Sequence, residues 1–241
     1  MASPSSFPPS SRPLDATAIA VTIGLCLCWG FNNVAIKLAI HTATRGVLFL
    51  YLAPFFVVIG SRWLVPGDHF HLSQWLGLFL SFAGIVIGFG LPTPAADPRQ
   101  VLGDIMLVGA AAAWAATTLT IKASALNRIS AEKTLLYQLI VSAPVLGIAA
   151  AIFGERMTAP PSALALGAFL YQTVWVVSIT FTIWFVLVVR YSSARLSVFT
   201  FLAPLFGVAA GHFVLNEPLT PALAVAVALV AIGLLLVNSP R

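Results

Sequence analysis

The chain has 241 residues, 60% of them hydrophobic and 8% charged, with a mean hydropathy of +1.01. A water-soluble domain carries roughly 25% charged residues, so the composition excludes an ordinary soluble globule and fits a chain solvated by lipid. The formal net charge of +5 does not signal nucleic-acid binding, because the 12 Lys and Arg residues are scattered singly between apolar runs, a distribution that suits loops facing an anionic leaflet.

Residues 1–15 are rich in Ser and Pro and read as a disordered tail. The apolar run that follows, 16–40, is longer than the 7–15-residue core of a signal peptide and is expected to be a retained first helix. Seven more apolar segments follow at 46–65, 74–91, 102–125, 134–153, 163–189, 196–215 and 219–238. Each is near the ~20 residues that cross ~30 Å of hydrocarbon at 1.5 Å per residue. Turn formers separate them, as in Pro66-Gly67-Asp68, Pro92-Thr93-Pro94 and Asn216-Glu217-Pro218. The connection from His41 to Arg45 is tight enough that one long kinked helix is an alternative there. The expectation is an all-α membrane protein of about eight transmembrane helices.

With the N-terminus inside, Arg12, Arg62, Lys122, Arg128, Lys133, Arg190, Arg195 and Arg241 fall on the inner side, and Lys37, Arg45, Arg99 and Arg156 on the outer side. This bias predicts a multi-pass protein of the cell (inner) membrane with both termini cytoplasmic. Cys26 and Cys28 are too close along a helix to bridge and too few to bind a metal, so they read as small packing residues. No zinc-protease, nucleophile-elbow or P-loop pattern is present, so no enzyme, cofactor or metal is expected.

The sequence repeats itself. Trp29–Lys37 reads WGFNNVAIK and Trp114–Lys122 reads WAATTLTIK, both W-x(6)-I-K, at an offset of 85. Leu52-Ala53-Pro54 recurs as Leu202-Ala203-Pro204 at an offset of 150. Asp68 and Gly84 recur as Glu217 and Gly233 at 149. The 65-residue difference between the offsets is room for two helices with their loops. The expected plan is a three-helix, incomplete first repeat (16–91) and a five-helix second repeat (102–238). A five-helix unit has odd parity, so tandem units lie inverted to one another, as in many secondary transporters.

These residues resemble a known family. The W-G-x-N-x-x-x-I-K stretch at Trp29–Lys37, the A-P-x-F runs at Ala53–Phe56 and Ala203–Phe206, and the closing helices around Gly84 and Gly233 are similar to EamA-type members of the drug/metabolite transporter superfamily. The resemblance spans about 16–238. It implies two inverted EamA-like repeats, with the first one here lacking two helices. It also implies a transporter of small metabolites, amino acids or drugs, often outward, working by alternating access. The shortened first repeat suggests two other readings: a non-transporting membrane protein or partner subunit, and a homodimer in which each copy supplies the other's missing wall.

Candidate transport-path residues follow from embedded polarity and from the repeat. Lys37 and Lys122 take matching positions, either snorkelling to the headgroups or facing a cavity. Asn32 and Asn33, with Thr117 and Thr118 in the second half, either bond between helices or contact substrate. Trp29 and Trp114 open the two repeated stretches. Gln138, Gln172 and Trp175 offer a polar-aromatic lining, with interhelical packing as the alternative. Pro54 and Pro204 are candidate hinges or static kinks. His212 reads as a packing residue or a proton relay. Asp68 and Glu217 are expected to cap the helices that follow them, and Gly84-x-x-x-Gly88 and Gly207-x-x-x-Gly211 are expected to pack helices closely.

Overall fold

The computed structural model describes residues 14–16, 18–26, 29, 48–91, 98–154, 160–216 and 218–239. The described residues are helical and contain no strand. Helix α1 covers residues 18–26. It is followed by α2 (Ala53–Leu64), α3 (Leu72–Phe89), α4 (Pro98–Ala123), α5 (Ala131–Ile152), α6 (Ala163–Arg190), α7 (Ser193–Phe199), α8 (Leu202–Leu215) and α9 (Pro221–Asn238). Six spans among the described residues are long and apolar enough to cross a membrane, with α7 and α8 counted as one span, and Leu48–Leu64 forms a shorter apolar helix. Together with α1 they account for the eight segments expected from the sequence.

Local chemistry sets the helix ends. Asp15 Oδ1 accepts from the Ala18 amide at 2.8 Å at the start of α1. Ser130, Ser162 and Ser192 do the same for α5, α6 and α7. His71 opens α3 with a reciprocal capping box to Gln74. The expectation that Asp68 caps the helix after it is therefore corrected: His71 holds that position, and Asp68 caps α7 instead. The segment expected as one helix over 196–215 is two, with a turn at Thr200-Phe201 just before Leu202-Ala203-Pro204. The first half breaks at the same place, with a turn at Tyr51-Leu52 ahead of Pro54. Proline has no amide hydrogen, and its ring crowds the carbonyl four residues earlier, so the chain turns instead of continuing.

Packing centres on two cores. In one, Leu78 and Ile85 of α3 and Val230 and Val237 of α9 are fully buried with Val198 and Phe201. In the other, Leu25, Ile121, Trp184, Val188 and Leu196 join α1, α4, α6 and α7. The closing helices α3 and α9 run antiparallel at close range. Gly77 lies against Gly233, and Gly84 against Ala226. The contacts are reciprocal: at the repeat offset of 149, Gly77 corresponds to Ala226 and Gly84 to Gly233, so one contact maps onto the other. That is the signature of a two-fold relation between two equivalent surfaces.

Hydrogen bonds tie several chain ends into one layer. Gln74 Nε2 donates to the Val237 carbonyl at 2.9 Å. Tyr191 Oη donates to Asp15 Oδ2 at 2.9 Å. Lys122 Nζ donates to the Val189 and Tyr191 carbonyls at 2.9 and 2.8 Å. Asp68 is held by Ser192, Ser193 and Ala194. Alternating crossings put all of these positions on one side. By contrast, α5 is exposed along most of its length, with apolar Leu136, Ile140, Val141 and Leu146 outward, a surface that suits hydrocarbon rather than water.

Candidate functional site

A cavity of about 220 Å³ opens between α1, α2, α4, α6 and the α7–α8 turn. Its walls are Trp29, Leu50, Tyr51, Ala53, Pro54, Trp114, Val176, Phe181 and Thr200. Trp29, Trp114 and Phe181 form a three-ring cluster. Trp29 and Trp114 meet edge to face at 6.5 Å, Trp29 and Phe181 lie 5.9 Å apart, and Trp114 and Phe181 5.3 Å apart. These are the separations at which aromatic quadrupoles attract. The Trp29 indole N–H donates to Thr180 Oγ1 at 2.8 Å, and that hydroxyl donates to the Val176 carbonyl at 2.6 Å. The relay satisfies the indole and fixes its plane. Trp184 backs Trp29 at 5.2 Å.

The lining draws on equivalent positions of the two halves. Trp29 and Trp114 correspond at the offset of 85, and Leu50 and Thr200 at 150. Leu50 and Thr200 each stand four residues before the repeated proline. Their backbone carbonyls are the ones that lose the proline's missing donor. The two helix breaks therefore face one cavity.

Among the expected transport-path residues, the structure brings Trp29 and Trp114 to this cavity together with Pro54. Pro204 is buried just past the second break. Thr117 and Thr118 turn back on their own helix, donating to the Ala113 and Trp114 carbonyls at 3.1 and 3.3 Å, a local pairing common for helical threonines. Gln138, Gln172 and Trp175 lie on exposed faces of α5 and α6, away from the cavity. Asn32, Asn33 and Lys37 lie outside the described residues, as does Glu217. His212 packs edge to face with Phe213 at 5.4 Å.

Lys122 does something the sequence did not announce. Its ammonium bonds two carbonyls at the C-terminal end of α6, where a helix leaves acceptors without donors and carries partial negative charge. Replacing Lys122 by Met is expected to lower stability by about 1–3 kcal/mol, because two partly buried carbonyls lose a charged donor. Thermal unfolding in detergent checks this, and Lys122→Arg should recover most of the loss. A Met variant as stable as the parent would show that the cap contributes nothing.

Sequence reasoning missed Tyr51, Val176, Thr180 and Phe181. Leu50 and Thr200 carried a usable signal, their spacing from the repeated prolines, whereas Phe181 carried none. Cys26 was read as packing and is fully buried, with its thiol on the Phe199 carbonyl at 3.1 Å beside the second break.

The fold and its long apolar helices define a multi-pass, all-α membrane protein. Residues 101–239 match the EamA-like transporter family, and the chain belongs to that family. It is 27% identical over 185 residues to "Uncharacterized transporter YvbV" of Bacillus subtilis (strain 168), covering 73% of this chain and 57% of that protein. It is 25% identical over 213 residues to an "Uncharacterized transporter" of Archaeoglobus fulgidus, covering 87% of this chain and 71% of that one. The chain thus spans little more than half of the Bacillus relative. One solved crystal structure superposes with a TM-score of 0.67 over 95% of this chain and 79% of its own, at 20% identity, and shows the same fold.

Proposed function

We propose that the chain moves small one- or two-ring organic molecules across the cell membrane, outward, by alternating access around the Trp29–Trp114–Phe181 cavity. The observation that carries this reading is the meeting of equivalent residues and equivalent helix breaks at a single cavity, the arrangement secondary transporters use for substrate. The reciprocal packing of α3 on α9 supports two inverted repeats, 16–91 with three helices and 102–238 with five. The cavity volume supports a small substrate: about 220 Å³ is somewhat more than the ~150 Å³ apolar cavity that accepts benzene. The ring faces and the sparse polar groups support an aromatic, weakly polar body. The Lys and Arg bias supports cytoplasmic termini, and the family resemblance favours export.

Counterflow in proteoliposomes tests the reading, with a panel of neutral one- and two-ring compounds, amino acids and organic anions. Uptake of at least one ring compound well above empty vesicles is expected. No flux for any member of the panel would overturn it.

One observation favours a second reading. Gln138 and Gln172 place exposed amides within the α5 and α6 spans, and an amide facing hydrocarbon is costly. A second copy of the chain covering these faces would relieve that cost and complete the wall. Disulfide trapping of Gln172→Cys in native membranes should give a crosslinked dimer if so, and only monomer if lipid covers the face.

A further inference from the structure

Asp68 is 5% exposed, yet it is a carboxylate in the turn that joins α2 to α3. Its oxygens are occupied by the hydroxyl of Ser192, the hydroxyl of Ser193 at 3.0 Å and the amide of Ala194 at 3.3 Å. All three donors come from the start of α7, more than 120 residues away, and α7 leads into Thr200 on the cavity wall. On its other side, Asp68 lies four residues beyond the end of α2, the helix that carries Pro54 on the cavity wall. The carboxylate therefore joins the two broken, cavity-lining helices at one end of the molecule.

A buried carboxylate is tolerated only while its donors stay in place, and taking them away leaves an uncompensated charge. The contact therefore has two favourable conditions: fully bonded and dry, or separated and hydrated. A half-open geometry satisfies neither. Such a contact suits a switch better than a hinge.

We propose that Asp68 is the positioning residue that closes the cavity toward this end of the transporter, by latching the α2–α3 turn to Ser192, Ser193 and Ala194. Released from them, the inner ends of α2 and α7 part and water reaches the cavity from this side. This rests on the alternating-access reading above.

The test uses a single reporter, Thr200→Cys, in a Cys26→Ser/Cys28→Ser background. Labelling by a membrane-impermeant maleimide is timed from each face of oriented vesicles, and Arg128→Cys in a separate sample marks the Asp68 side. Asp68→Ala is expected to speed labelling of the reporter from the Asp68 side by about tenfold or more, since removing a charged acceptor's bonds shifts a two-state balance by that order. Labelling from the opposite face should not rise. Ser192→Ala/Ser193→Ala, which removes the partners and keeps the carboxylate, should move the rates the same way. It decides the matter if Asp68→Ala fails to fold. Gln74→Ala is the comparison, because it breaks the α3–α9 tie and the α3 cap at the same end while leaving the donors to Asp68 in place. Unchanged labelling in the latch variants, equal gains from both faces, or an equal gain in Gln74→Ala would each overturn the proposal. The labelling does not depend on flux. A panel without a transported compound would sink the transport reading alone, and flux with unaltered labelling would sink the latch alone.

Discussion

Gly77→Val is expected to be among the most destabilising single substitutions in the closing-helix pair, with Gly84→Val somewhat milder. A Cβ at Gly77 would lie 2.5 Å from the Gly233 carbonyl oxygen and 2.9 Å from a Val237 methyl. At Gly84 it would lie 2.9 Å from the Ala226 carbonyl oxygen and 3.1 Å from a Val230 methyl. The blocking atoms include backbone, which cannot rotate aside, so α3 and α9 must separate. Overpacking of this kind costs about 1–3 kcal/mol per site, and more where the backbone must shift. Separation also loosens the buried contacts around Leu78, Ile85 and Val230. Gly109 supplies the comparison, because nothing lies within 4 Å of a Cβ placed there. Gly109→Val should therefore change stability only by the small difference in helix propensity, which favours Val over Gly, within about 0.5 kcal/mol. Unfolding midpoints of purified protein in detergent would separate the three. Equal midpoints for Gly77→Val and Gly109→Val would show that the closing helices are not packed as described.

Much of the fold was legible because lipid imposes it. A chain with no water to satisfy its backbone must form helices long enough to span, so apolar run lengths located the crossings to within a few residues. The broken helices were also legible, through proline and its recurrence at Pro54 and Pro204. The half of the site that sequence reached is the half that repeats: Trp29, Trp114 and Pro54 were singled out by duplication, with no knowledge of what they face. The remainder depends on pairings between distant residues. Nothing local to Asp68 says that its acceptors serve Ser192 and Ser193 rather than the helix just after it. Nothing local to Lys122 says that it caps α6. Gln172 and Trp175 were grouped as one face on a 3.6-residue period, but Tyr171–Thr180 is wound in wider i→i+5 turns. Wider turns carry each residue less far round the axis, and both side chains are exposed on α6.

Trp29 and Trp114 make different predictions although they are sequence equivalents. Trp114→Ala removes one wall of the cavity and its contacts with Trp29 and Phe181, and little else. Its expected effect is on substrate: about a tenfold or greater rise in the dissociation constant for a ring compound, or about 1.4 kcal/mol, the scale of one or two aromatic contacts. Trp114→Phe should recover part of this, since a ring face returns. Trp29→Ala removes the same face, breaks the 2.8 Å bond to Thr180 and strips the packing from Trp184. It should weaken binding and also lower the unfolding midpoint, because the Thr180 hydroxyl is buried and loses its donor. Trp63 is the comparison for both: it is 78% exposed on α2 and touches none of these rings, so Trp63→Ala should alter neither affinity nor cavity. Equilibrium binding of a radiolabelled ring compound, with unfolding measured on the same preparations, gives two independent readouts for each variant. Losses of affinity shared equally by Trp63→Ala and Trp114→Ala would place the substrate elsewhere. A loss confined to Trp29→Ala, and matched by its instability, would mean that the three-ring cluster holds the helices together without touching what they carry.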